Sequence, residues 1–244
     1  MRPDASKKIA TVTPKSGPNP VIIGAVVAAL VVIAVVVAIV LGSGGGKGSA
    51  TGTSVPAGVV GGTGGGILVN PTTAKSNAPT LDLYEDFQCP TCANLERVMG
   101  AQIASMAKAG DVKLVVHTMS FLDGNLKNDS SSRAANAAAC AADAGKFLEY
   151  HATVFAAQPV KEGAGYTDAQ LTEFAKQAGI TGPALTTWQK CATSGQHDSY
   201  VQDVETSSGK AGVTSTPTVK LNGKDITSTL TTADALVAAV KNAS

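Results

Sequence analysis

The chain has 244 residues, with 19 Lys plus Arg against 18 Asp plus Glu and a formal net charge of +1. That balance excludes the basic surplus on which nucleic-acid binding rests, and a hydrophobic share of 44% excludes a disordered polar chain. The four cysteines are too few for a disulfide scaffold of this length, so their spacing carries the information.

Residues 1–20 form a short basic tail, with Arg2, Lys7, Lys8 and Lys15 against Asp4. Val21 to Leu41 is a run of 21 residues without a charge. A helix of that length spans a hydrocarbon core of about 30 Å. A cleaved signal peptide has a shorter apolar region, roughly 7–15 residues, and a small-residue cleavage site; the run is therefore read as an uncleaved transmembrane helix. The basic tail places the N-terminus in the cytoplasm and the remainder outside. Residues 42–66 contain 12 Gly among 25 positions and read as a flexible linker with a reach of about 25–30 Å. The folded unit is expected over 67–244, where 14 basic and 17 acidic residues give a formal charge of −3.

Within that unit, Ile67 to Val69 reads as a first strand. Thr80 to Tyr84 alternates Leu81 and Leu83 with Asp82 and Tyr84, the pattern of a half-buried strand. Pro90 suits the first turn of a helix running to Ala109 and stopped by Gly110. Val112 to His117 is a further strand, and Thr118 to Asp129 reads as a loop. Residues 130–157 are Ala-rich and helical. Thr167-Asp168-Ala169-Gln170 has the form of a capping box, opening a helix that Gly179 closes. Helices follow at about 183–193 and 197–210. Val213 to Leu221, the turn Asn222-Gly223 and a short strand at Asp225-Ile226 form a hairpin, and a last helix covers about Thr232 to Asn242.

The chemistry concentrates in Cys89-Pro90-Thr91-Cys92, placed between a strand and a helix. Thiols at i and i+3 on a helix start close a small disulfide ring. The first thiol meets unpaired backbone N–H groups and the positive end of the helix dipole, which favour its thiolate. A stabilised thiolate is a good leaving group and makes the disulfide easier to reduce. Cys92 points inward as the resolving thiol. Half of a zinc site and a purely structural bridge are the alternatives. Zinc asks for a second closely spaced ligand pair, which Cys140, Cys191, His117, His151 and His197 do not supply. No metal and no cofactor is expected. The three histidines are scattered, with His117 at a surface or core edge. Asp82, Glu85 and Asp86 read as solvated surface acids, and Phe147, Tyr150, Phe155 and Trp188 as core. Cys140 and Cys191 are each compatible with a small buried residue.

The stretch from Asp82 to Cys92 resembles the active-site segment of the DsbA-like branch of the thioredoxin superfamily, in its membrane-tethered actinobacterial form. Thr216-Pro217 resembles the family's cis-proline loop, although an ordinary turn has the same signature. The resemblance covers about residues 67–244. It implies an α/β thioredoxin fold with an inserted α-helical domain at about 130–210, here preceded by one transmembrane helix. It also implies that Cys89, Pro90, Thr91, Cys92, Thr216 and Pro217 form the catalytic site. Some such relatives carry a second, structural disulfide in the helical domain, which Cys140 and Cys191 suit.

Two departures matter. Pro-Thr replaces the dipeptide with His found in the strongest oxidases, so a less depressed Cys89 pKa is expected. The family's buried acid, six positions before the first cysteine, is replaced by Leu83. The implied activity is thiol–disulfide exchange that introduces disulfides into secreted proteins, in a monomer at the outer face of the cytoplasmic membrane. The implied partner is a quinone-linked re-oxidase, DsbB-like or similar to vitamin K epoxide reductase. A tethered reductase or isomerase, or a non-enzymatic Cu(I)-binding module, are the competing readings.

Overall fold

Strand β1 (Ile67–Leu68), β2 (Thr80–Asp86), β3 (Lys113–Met119), β4 (Thr218–Leu221) and β5 (Lys224–Asp225) form one sheet in the order β1-β3-β2-β4-β5. This computed structural model describes residues 54–243. The expected tail, the transmembrane helix 21–41 and the start of the linker lie outside the described residues. Among the described residues no helix is long and apolar enough to cross a membrane.

β2 is central. It runs parallel to β3, from Thr80↔Lys113 to Asp86↔Met119, and antiparallel to β4, from Leu81↔Leu221 to Tyr84↔Thr218. Its first half alternates as expected, with Leu81 and Leu83 buried. Its last four residues are buried on both faces, because helices cover both sides of the sheet there. The β4–β5 hairpin turns through Asn222 (φ 49°) and Gly223 (φ 79°), the positive pair that a two-residue hairpin turn requires. β5 begins one residue before the expected strand.

A helical crossover joins β2 to β3. It consists of α1 (Pro90–Leu95), a π-helical turn at Glu96–Gly100, and α2 (Ala101–Ala109), closed by Gly110 in the left-handed region (φ 74°). Gly110 is needed twice over, since a Cβ there would also strike the Thr73 carbonyl.

The helical block follows. The expected loop 118–129 is instead the end of β3 and a short helix, α3 (Leu122–Leu126). Asp123 turns back to accept hydrogen bonds from the Ser131 N–H (2.7 Å) and the Ser132 N–H (2.9 Å), so this acid ties the segment expected to be a loop to the start of the next helix. The single Ala-rich helix divides into α4 (Ser130–Asp143) and α5 (Phe147–Ala156) around Gly145. Three further helices are α6 (Asp168–Gln177), α7 (Gly182–Thr193) and α8 (Asp198–Lys210). The capping box is present: Thr167 Oγ1 accepts from Gln170 N (3.2 Å), and Gln170 Oε1 from Thr167 N (2.8 Å). α4 sits at the centre of the block against β3 and α5 to α8, and its alanines let those neighbours approach closely. Cys140 of α4 and Cys191 of α7 are disulfide-bonded, with a Cα–Cα separation of 6.0 Å. Beside them Trp188 Nε1 donates to the Ala137 carbonyl (3.0 Å). Phe147, Tyr150 and Phe155 are buried, as expected of core. The chain ends in α9 (Ala233–Ala243).

The expected start of the folded unit, Ile67, moves upstream. His197 Nδ1 donates to the Ser54 carbonyl (2.7 Å), Ala57 N donates to Asp143 Oδ1 (2.8 Å), and Tyr200 OH donates to the Gly65 carbonyl (2.9 Å). Val59 bridges Ile67. A Cβ at Gly64 would meet the Asp203 backbone, and one at Gly66 would meet Val115 and His117. These glycines allow close packing, whereas composition alone suggested a free coil.

Candidate active site

Cys89 caps α1. Its backbone is extended (φ −76°, ψ 116°), Pro90 opens the helix behind it, and its N–H donates to the Asp86 carbonyl (2.9 Å). The Cys92 amide at the start of the helix acts on the first sulfur, while the Cys92 side chain, one turn on, is fully buried. Both cysteines are present as free thiols.

The far end of the fold completes the site. Thr216-Pro217 is a cis peptide, and the Thr216 carbonyl lies 3.5 Å from Cys89 Sγ. Thr91 Oγ1 lies 3.3 Å from the same sulfur. The hydrogen bond from Cys92 is the strongest influence on Cys89; with Thr91, Thr216 and the Cys92 amide it outweighs burial and lowers the Cys89 pKa to about 5. That value falls between about 3.5 for DsbA and about 7 for thioredoxin. Cys92 moves the opposite way. Burial, its hydrogen bond to Cys89, and the negative charges of Glu85 and Cys89 push its pKa far above the ordinary thiol range.

The helical block holds the backbone around Cys89. Gln158 Nε2 donates to the carbonyls of Phe87 (2.8 Å) and Cys89 (3.0 Å), and Tyr166 OH donates to Phe87 O (2.7 Å). Gln88 reaches Asp123, Asn128 and Ser131 through Nε2. Neither Gln158 nor Tyr166 is legible as a site residue, because their partners are backbone atoms about 70 to 80 positions away.

Two of the three acids before the motif correct the expectation of solvated side chains. Asp86 is fully buried and accepts from Ser131 Oγ (2.6 Å), Gln88 N (2.8 Å) and Leu122 N (3.2 Å). Burial raises its pKa to about 7 against the pull of those bonds. Glu85 is 2% exposed and faces His151 Nε2 at 3.0 Å. Burial, then the Cys89 charge, raise its pKa to about 8. A signal for Glu85 was available: alternation puts it on the same face as the buried Leu81 and Leu83. Asp82 lies on the other face, half-buried, with His117 Nε2 at 3.1 Å. His117 itself is stacked on Tyr84 at the core edge.

Among the described residues, Glu85, Glu96 and His151 bring carboxylate and imidazole atoms within 4.8 Å of one another. The carboxylates flank opposite nitrogens of one ring, Glu85 at Nε2 (3.0 Å) and Glu96 at Nδ1 (4.0 Å). That is the layout of a chain of proton-bearing groups rather than of a chelate around one ion.

A thiol pair at a helix start, one sulfur reachable and acidic, the other buried and basic, beside a cis-proline loop and a mixed sheet, defines a thiol–disulfide oxidoreductase. The chain belongs to the thioredoxin family, whose model, described as Thioredoxin, matches residues 71–242. It is similar to the reduced crystal structure of DsbA from Mycobacterium tuberculosis, at 30% identity and a TM-score of 0.58 over 70% of this chain and 89% of that one. It also shares the fold of MdbA, a thiol-disulfide oxidoreductase from Actinomyces oris, at 20% identity and a TM-score of 0.64 over 79% and 93% of the two chains. MdbA from Corynebacterium diphtheriae aligns at 23% identity and a TM-score of 0.61 over 80% and 96%. No curated protein sequence matches the chain.

Proposed function

We propose that this oxidoreductase works in the oxidising direction, donating the Cys89–Cys92 disulfide to the thiols of secreted proteins. The observation that carries the reading is the opposed acidity of the two sulfurs. A substrate thiolate attacks Cys89 Sγ, the S–S bond breaks, and its electron pair leaves on Cys92, which is protonated. A second substrate thiolate then attacks the substrate sulfur of the mixed disulfide and expels Cys89. Because Cys89 titrates at about 5, it departs as a thiolate near neutral pH without needing a proton. The leaving-group advantage favours donation of the disulfide. The Thr216 carbonyl beside the sulfur supplies a backbone acceptor for an extended substrate segment.

The charge-free run Val21–Leu41 and the basic residues before it support a single-pass anchor in the cytoplasmic membrane with the catalytic unit outside. There a quinone-linked membrane re-oxidase, DsbB-like or similar to vitamin K epoxide reductase, restores the disulfide, and the shared membrane raises the local concentration of the two partners. The test is the reduction potential of the pair, read by alkylation and mass in glutathione buffers. A value well above about −200 mV supports donation, whereas one near about −270 mV, the thioredoxin value, makes the protein a reductase.

A further inference from the structure

We propose that His151 and Glu96 form a proton path that connects the buried Glu85, behind the resolving cysteine, to solvent in a groove between α1 and α5. The inference rests on the exchange chemistry above and adds to it a route for the proton that buried Cys92 must gain and lose.

The geometry has three stations. Glu85 stands near the end of β2, close enough for its charge to act on Cys92, and its Oε1 is buried with no hydrogen-bond partner in the protein. Its Oε2 meets His151 Nε2 at 3.0 Å. His151 comes from α5, is 2% exposed, and is clamped by Phe87, Phe147 and Phe155. Its Nδ1 is likewise buried and unpartnered, facing Glu96 Oε2 at 4.0 Å, a gap that one water or a small side-chain movement closes. Glu96 and His151 both line a groove of about 730 Å³, with Ala93, Gly100 and Phe155 among its walls.

The third station is held by an irregular helix. Glu96 begins the π-helical turn that interrupts the crossover, and π turns recur at functional sites. A Cβ on Gly100 would run into the Glu96 carboxylate. The turn and the missing side chain together let Glu96 fold back toward His151. The groups facing this chain of atoms are Cys89 and Cys92 from α1, Glu85 from β2, and His151 from α5. Arg97, on the groove wall, is bonded to Asn94. Among the described residues the ion-pair partner of Glu85 and Glu96 is His151, with no Lys or Arg. Burial raises Glu85 to about 8 and Glu96 to about 7, so both carboxyls carry protons near neutral pH, and it lowers His151, which keeps the imidazole neutral between them.

The bookkeeping of atoms closes over a cycle. When substrate thiolate opens the disulfide, the electron pair goes to Cys92 Sγ, which takes the proton of the Glu85 carboxyl. His151 Nε2–H re-protonates Glu85, Nδ1 takes the proton of Glu96, and Glu96 recovers one from water. On re-oxidation, the Cys89 thiolate attacks the partner's disulfide. The path runs in reverse: Glu96 releases a proton to water and takes that of Nδ1, Nε2 takes the proton of Glu85, and the Glu85 carboxylate so formed takes the proton of Cys92, whose sulfur displaces the partner from Cys89. One proton enters and one leaves, so the imidazole returns to its starting tautomer without a ring flip.

A path changes rates in both directions and leaves the equilibrium alone, and the test exploits this. The full-length chain is reduced by dithiothreitol in stopped flow from pH 5 to 9, as wild type, His151→Gln, His151→Ala and Glu96→Gln. Reduction potential and the alkylation rate of Cys89 by iodoacetamide are measured on each. The expectation is a loss of at least about tenfold in the reduction rate of His151→Gln and His151→Ala and a smaller loss for Glu96→Gln. Potential and alkylation rate should stay within about twofold in equilibrium constant and rate. Added imidazole should restore rate to His151→Ala through the groove. Wild-type rates and pH profiles in the variants overturn the path. So does a rate loss that imidazole leaves untouched, or one matched by shifts in potential and alkylation. Should the His151 variants not fold, Glu96→Gln, at the groove wall, decides on the same readouts. Failure of the wild-type protein itself to exchange with dithiothreitol overturns the exchange reading, separately from the path.

Discussion

The two cysteine pairs of this chain obey opposite rules. Cys89 and Cys92 are three positions apart at a helix start, and their environment separates them: one sulfur reachable and acidic, the other sealed and basic. Cys140 and Cys191 are 51 positions apart, both buried between helices, with His197 within 4.8 Å of both sulfurs alike. A short loop restrains the unfolded chain little, whereas a long one restrains it by about 4 kcal/mol. The same bond is therefore chemistry in one region and mechanical restraint in the other. What decides is the asymmetry of the surroundings.

The largest expected effect breaks the comparison at its reactive end. Cys89→Ser should abolish exchange with a reduced peptide, while Cys92→Ser should retain the first attack and accumulate mixed disulfides at position 89, visible by mass. Equal loss in both, with no adduct, would deny the division of labour between the sulfurs. Next, replacing Cys140 and Cys191 together by Ala should cost about 4 kcal/mol, or about 10 °C in Tm, with the reduction potential of the other pair unchanged. A shift in that potential instead would mean that the block does more than hold.

The pH dependence sharpens the contrast. In the reduced form the folded Cys89 pKa, about 5, lies below its ordinary 9.0. Its stabilisation is present above about 9 and is lost as pH falls toward 5. Glu85, raised from 4.5 to about 8, runs the other way, losing stability as pH rises; its burial is common to both redox forms, whereas the part due to the Cys89 charge belongs to the reduced form. The difference in Tm between reduced and oxidised protein therefore reads the Cys89 thiolate together with its coupling to Glu85. It should shift against the reduced form between pH 9 and 5, by about 2–4 °C per kcal/mol. The smallest effect is Thr91→Val, which removes the hydroxyl 3.3 Å from Cys89. It should raise the Cys89 pKa by about one unit and lower the potential by about 30 mV, both measurable by thiolate absorbance and glutathione equilibrium.

Much of this was legible in the residues. Periodicity located the strands of the central sheet and the crossover helix, and the resemblance carried the cis-proline loop and the bridge between Cys140 and Cys191. What escaped was non-local. Glu85 was read as surface because acids usually are, although its alternation with Leu81 and Leu83 pointed inward. His151 has no ligand or acid at helical spacing on its own element, so nothing near it in sequence announces Glu85 or Glu96. The glycines of 54–66 were counted as flexible, because composition cannot tell a residue that is small in order to move from one that is small in order to pack.

The order of the cysteines along the chain bears on biosynthesis. The ribosome delivers Cys89, Cys92, Cys140 and Cys191 in that sequence. An oxidant that joined each new thiol to the nearest unpaired one behind it would make the 89–92 ring first and then hold Cys140 until Cys191 arrived. Of the three possible pairings, the one the fold uses is thus the one vectorial synthesis makes by default. Maturation of this protein calls for oxidation alone, with no step of disulfide reshuffling.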